Sequence, residues 1–194
     1  MQHLMIDGAS DKESLRTIVS SCPNVRNLAI HLPLFEGIEW ELDYLLPALR
    51  EMPHLTCLTM AFLSASFLAE PFLNRLTHLH VVVVLTPSFC VGKWEILTHL
   101  PKLTHLNVGC SMLVEHVLKL LLSPLLKLLI VGAYAQVISL YADKDALSSV
   151  DDNRLVLLRK GNCDDRVLDW EKGANGGMDS WVFAELFVLA QGSE

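Results

Sequence analysis

An α/β fold, with a parallel sheet on one side and helices on the other, is what three features of this 194-residue sequence predict. A short apolar phrase, x-P-x-L-x-x-L-x-V with small variations, recurs along the chain. Between its copies the apolar spacing changes from the period of two of a strand to that of an amphipathic helix. The composition is that of a chain that folds: 52% hydrophobic and 19% charged, with a formal net charge of -7. It excludes intrinsic disorder, the lack of a Gly/Pro period excludes a fibrous chain, and the length suits one domain.

The copies run in order. Met1-Gln-His-Leu4-Met-Ile6 is a partial first one, and Pro23-Asn-Val25-Arg-Asn-Leu28-Ala-Ile30 is the first complete one. Pro53-His-Leu55-Thr-Cys-Leu58-Thr-Met60, Leu76-Thr-His-Leu79-His-Val81 and Pro101-Lys-Leu103-Thr-His-Leu106-Asn-Val108 follow. Pro124-Leu-Leu126-Lys-Leu-Leu129-Ile-Val131 comes next, and Asp152-Asn-Arg-Leu155-Val-Leu157 is a degenerate last copy. The first position of the phrase falls at 1, 25, 55, 76, 103, 126 and 152. These intervals match the roughly 20 to 29 residues of leucine-rich repeats, in which each phrase is a short strand lining a curved solenoid. Helical spacing is expected at 11–19, 40–49, 94–97 and 112–122, with Ser10 and Ser111 as N-caps. The prolines before the phrase stop each helix and send the chain extended into the strand.

The predicted architecture is thus a leucine-rich-repeat solenoid, with a right-handed parallel sheet on its concave side and helices on its convex side. Repeats are assigned to 1–142, and a degenerate last repeat with a C-terminal cap to 143–194 of the same domain. The tail is acidic from Asp143 onward. Its last helix, from about Ser180 to Ala190 with Asp179 as cap, is expected to plug the end of the repeat stack. The apolar stretch 117–142 is long enough for a bilayer, but Lys119, Pro124, Lys127 and Gly132 interrupt it, so the repeat accounts for it better.

The phrases Ser21-Cys-Pro-Asn-Val-Arg-Asn-Leu-Ala-Ile30 and Leu100-Pro-Lys-Leu-Thr-His-Leu106, with the tail from Asp169-Trp-Glu-Lys to Trp181-Val-Phe-Ala-Glu185, resemble the leucine-rich-repeat region of F-box-like proteins of mushroom-forming fungi. In that family an N-terminal F-box docks on the Skp1 subunit of a ubiquitin ligase and the repeats hold a target. No stretch before Pro23 is long enough for an F-box. The resemblance therefore implies the substrate-recognition half of such an adaptor.

Several functional classes lack support in the sequence. Fifteen Lys+Arg against 22 Asp+Glu leave no electrostatic footprint for nucleic acid. No Gly-rich turn follows a strand, so no cofactor is expected, and Gly173, Gly176 and Gly177 do not have the spacing of a phosphate-binding loop. The tail aspartates lack the turn glycine and closing glutamate of a calcium loop. Five scattered cysteines and no secretory leader point to reduced thiols in an intracellular protein, cytoplasmic or nuclear, and not bound to membrane.

A protein partner remains. The strand positions flanking the second Leu of each phrase are expected to face solvent on the concave side. Asn27, Thr59, His78, His80, His105 and Asn107 are the candidate partner-binding residues. Cys57, His78 and His105 fall in one row across strands about 4.8 Å apart, which raises the alternative of a metal-dependent or hydrolase-like enzyme using the histidine row. No fourth ligand and no catalytic signature accompany that row, so no catalytic or metal residue is assigned and no enzyme is expected. Self-association is expected through the N-terminal edge, where the first strand lies open.

Overall fold

The computed structural model describes residues 2–8, 11–31, 42–60, 65–82, 94–109, 114–134, 144–160 and 164–191. Seven strands form a single sheet: β1 His3–Asp7, β2 Asn27–His31, β3 Cys57–Met60, β4 His78–Val81, β5 His105–Val108, β6 Leu128–Tyr134 and β7 Leu155–Lys160. They lie in chain order, every neighbouring pair parallel. Among the described residues β1 and β7 are therefore the two edges.

The register is the one the phrase predicts. Leu28, Leu58, Leu79, Leu106 and Leu129 are successive partners, and Leu129 then pairs with Leu155 of the degenerate copy. Because successive side chains of a strand alternate, these leucines share one face with Ile30, Met60, Val81 and Val108. All nine belong to one buried cluster with helix residues such as Leu15, Val19, Leu49, Leu97, Val117 and Leu120.

The connecting helices are short. They are α1 Lys12–Ser20, a 3-10 turn Leu42–Leu45 leading into α2 Leu46–Arg50, α3 Ala65–Leu68 followed by a 3-10 turn Pro71–Arg75, α4 Trp94–Leu97, α5 Val114–Leu121 and α6 Lys144–Ser148. At α1 the N-cap is Asp11, not Ser10: its carboxylate accepts from the Ser14 N–H at 2.7 Å. Ser10 and Ser111 lie outside the described residues. The connection between β3 and β4, where no helix was expected, holds α3 and its 3-10 turn. Of the apolar stretch 117–142, residues 117–121 end α5 and 128–134 form strand β6, while 135–142 lie outside the described residues. Among the described residues no helix is long and apolar enough to cross a membrane.

Arg154 ties the last repeats together. Its guanidinium donates to the carbonyls of Leu121 at 2.6 Å, Ser123 at 3.1 Å and Leu126 at 3.2 Å, all at or beyond the end of α5. Asp152 orients it through bonds of 2.7 and 2.9 Å, and the same guanidinium holds the Asp152 carboxyl below its usual range. These carbonyls have no intrahelical donor, so the arginine acts as a C-terminal cap. Arg154→Met is expected to cost about 1.5 kcal/mol in urea unfolding, with Asp152→Asn costing less.

The tail departs from expectation. Two helices follow β7: α7 Asp164–Ala174 and α8 Ser180–Gln191. Asp179 caps α8 as expected, accepting from the Val182 N–H at 2.9 Å, and Asp169 of α7 accepts from the Ser180 N–H at 2.8 Å. The three glycines build the turn between the helices. Gly176 is left-handed at φ +73, the Gly177 N–H reaches the Lys172 carbonyl at 2.8 Å, and a Cβ on Gly173 would collide with the Asp179 carboxylate. The pair does not plug the end of the strand stack. It lies across the sheet face that the repeat helices leave free.

Candidate functional site

Two rows of side chains project from that second face. The first is His3, Asn27, Cys57, His78, His105 and Leu128; the second is Met5, Ala29, Thr59, His80, Asn107, Ile130 and Val156. Each row contains the residues the repeat spacing assigns to it. Their exposure is a different matter: Thr59, His80 and His105 are buried, Asn107 is 0% exposed, and Asn27 and His78 are half-buried. The expectation that all six face solvent is therefore corrected.

For the first row the cause is the tail, which meets it strand by strand. At β1 and β2, the Trp170 ring stands edge-on to His3 with centroids 6.4 Å apart, and its indole N–H donates to Asn27 Oδ1 at 3.2 Å. At β3, burial and the nearby Asp179 carboxylate push the Cys57 thiol up to about 12, so it stays a thiol. At β4 and β5, the Trp181 ring stands edge-on to both His78 and His105, at 5.4 and 6.0 Å. At β6 and β7, Ala184 closes a small apolar cluster with Leu128, Ile130 and Val156, flanked by Trp181 and Val188.

The two imidazoles stack with centroids 4.2 Å apart and planes 6° from parallel. A ladder of threonines prepares this geometry. Thr77 and Thr104 occupy the same position in successive repeats, each within 3.2 Å of the preceding threonine's carbonyl, and each hydroxyl bonds the Nδ1 of the next histidine, at 2.9 Å for His78 and 2.7 Å for His105. The outer nitrogen of His105, Nε2–H, donates to Glu185 at 2.9 Å. Burial and the adjacent His105 ring bring His78 down to about 4. Burial also lowers His105, and outweighs the opposing pull of Glu185.

This arrangement disfavours metal chemistry. Three of the four ring nitrogens have hydrogen-bond partners, and Cys57 is held as the thiol. Among the described residues no group of three or more His, Cys, Asp and Glu is placed to hold a metal ion. In this chain the face holds α7 and α8. It offers an aromatic-receptive polar half at β1–β5 and an apolar half at β6–β7.

Comparison of the chain with protein-family models, curated proteins and solved structures finds no match. The site therefore speaks through its geometry alone.

Sequence reasoning found the rows and missed their occupants, Trp170, Trp181, Ala184 and Glu185. One signal was available. In α8 only Glu185 is charged, and apolar residues fall on every side, a pattern that belongs to a helix with more than one apolar neighbour.

Proposed function

We propose that the chain is a protein-interaction module of the leucine-rich-repeat type, a solenoid whose concave sheet face recognises helical segments. Its own C-terminal pair occupies that face and stands in for the partner. The observation that carries this reading is the set of contacts of Trp170, Trp181, Glu185 and Ala184 with residues of β1, β2 and β4 to β7, with the Asp179 carboxylate acting on Cys57 of β3. A rigid sheet that presents both a hydrogen-bonding and an apolar half is suited to an amphipathic helix with an aromatic anchor. The resemblance of the phrases to F-box-like proteins extends the reading to an adaptor that holds a ubiquitin-ligase target. An intracellular setting agrees with the free thiols of Cys22 and Cys57.

The test uses a fluorescent peptide of residues 164–191 added to the full chain. Wild type, with its face occupied, is expected to bind it weakly. The double variant Trp170→Ala, Trp181→Ala, whose own tail is loosened, is expected to bind it at least tenfold more tightly. A folded double variant with no gain in peptide binding would overturn the reading.

A further inference from the structure

α8 has a second apolar face, turned away from the sheet. Trp181, Ala184 and Val188 look inward at helical spacing, while Phe183, Leu186 and Leu189 are 49%, 51% and 67% exposed. Val182 and Phe187 extend the outward surface, and Met178 adds to it just before the helix. Six apolar side chains left this open within twelve residues are more than scattered exposure accounts for.

The chemistry of the patch narrows what covers it. The helix carries no Lys or Arg, and its only charge, Glu185, is engaged with His105. An interfacial membrane helix relies on basic residues on its flanks, and the chain as a whole is acidic, with a formal charge of -7. A charged protein partner finds nothing here to pair with. A second copy of the same patch does fit: in a two-fold contact the patch meets itself, so a surface free of charge and rich in Leu and Phe meets one equally apolar. The area is also adequate. Each of the six side chains offers roughly 100 Å², so two copies remove about 1,200 Å² from water, the lower bound for a stable specific interface.

We propose that the outer face of α8 is a homodimer interface in which two copies pair their C-terminal helices about a two-fold axis passing near Leu186. Dimerisation and the occupied sheet face use opposite sides of one helix, so this proposal is independent of the helix-recognition reading.

Sedimentation velocity of the full chain over a hundredfold concentration range tests it. Wild type is expected to show a monomer–dimer equilibrium, and Leu186→Glu to weaken it by about a hundredfold while far-UV dichroism and the melting profile stay unchanged. Leu186→Cys supplies a second readout that does not depend on a destabilising change: mild oxidation is expected to give a disulfide-linked dimer, whereas Leu122→Cys, at an 80% exposed site outside the tail, gives none. A wild type that stays monomeric throughout would overturn the proposal. So would a dimer indifferent to Leu186→Glu, which would place the contact elsewhere, as at the β1 edge. Flotation of a monomeric wild type with vesicles of anionic lipid, lost in Leu186→Glu, would reassign the face to a membrane surface.

Discussion

Truncating Leu106 or Leu79 to alanine is expected to lower the unfolding free energy by about 2 to 5 kcal/mol. Both side chains are fully buried in the main cluster, with leucines above and below them in the adjacent strands, so the vacated volume cannot collapse easily. Urea unfolding with an unchanged denaturant slope measures the loss. His80→Ala, on the opposite face of the strand that carries Leu79, is expected to cost less, though its burial means the change is not neutral. A loss at Leu106 of under about 0.5 kcal/mol would contradict the packing described here.

Acidification is expected to weaken the fold through the stacked histidines. His78 is held at about 4 by burial and by His105, against 6.5 for a free imidazole. Between those values the unfolded chain takes up a proton that the folded chain refuses, so stability is complete above pH 6.5 and falls as pH drops toward 4. His78 alone contributes a loss of about 2 kcal/mol between pH 7.5 and pH 5. His105 is lowered in the same direction, with Lys127 reinforcing burial and Glu185 opposing both. The groups in electrostatic or hydrogen-bonded contact with the pair are thus Thr77, Thr104, Lys127 and Glu185. Unfolding free energies at several pH values for wild type and His78→Gln isolate the effect. The variant is expected to show the shallower dependence, and identical slopes would rule His78 out as its source.

The strands and their register were legible because the repeat phrase encodes them twice, once in its alternation and once in its spacing. Even Leu155, in a copy whose first position is Asp152, pairs with Leu129 as the phrase requires. The rows on the second face follow from the same arithmetic, since a residue adjacent to a buried leucine in a strand must point the other way. What covers those rows could not be read this way. The contacts of Trp170 with Asn27 and of Glu185 with His105 span 143 and 80 residues, and no local period relates such positions. The apolar helix within the acidic tail was placed at the end of the repeats because an end is where a repeat array exposes its core. The sheet face turned out to be the larger unsatisfied surface. Arg154 escaped notice for a similar reason: its partners are backbone carbonyls, which leave no mark in the sequence.

The route of the tail also alters how the repeats depend on one another. Strands that pair only with their chain neighbours behave as a row of units, each able to loosen from an end without disturbing distant ones. Here α7 is fastened at β1 and β2 while α8 is fastened from β4 to β7, and the glycine turn joins the two. Peeling away either outer strand therefore breaks contacts belonging to the same strap. Opening at one end is felt at the other, so a chain of seven weakly linked modules acquires the all-or-none cooperativity of a single globule.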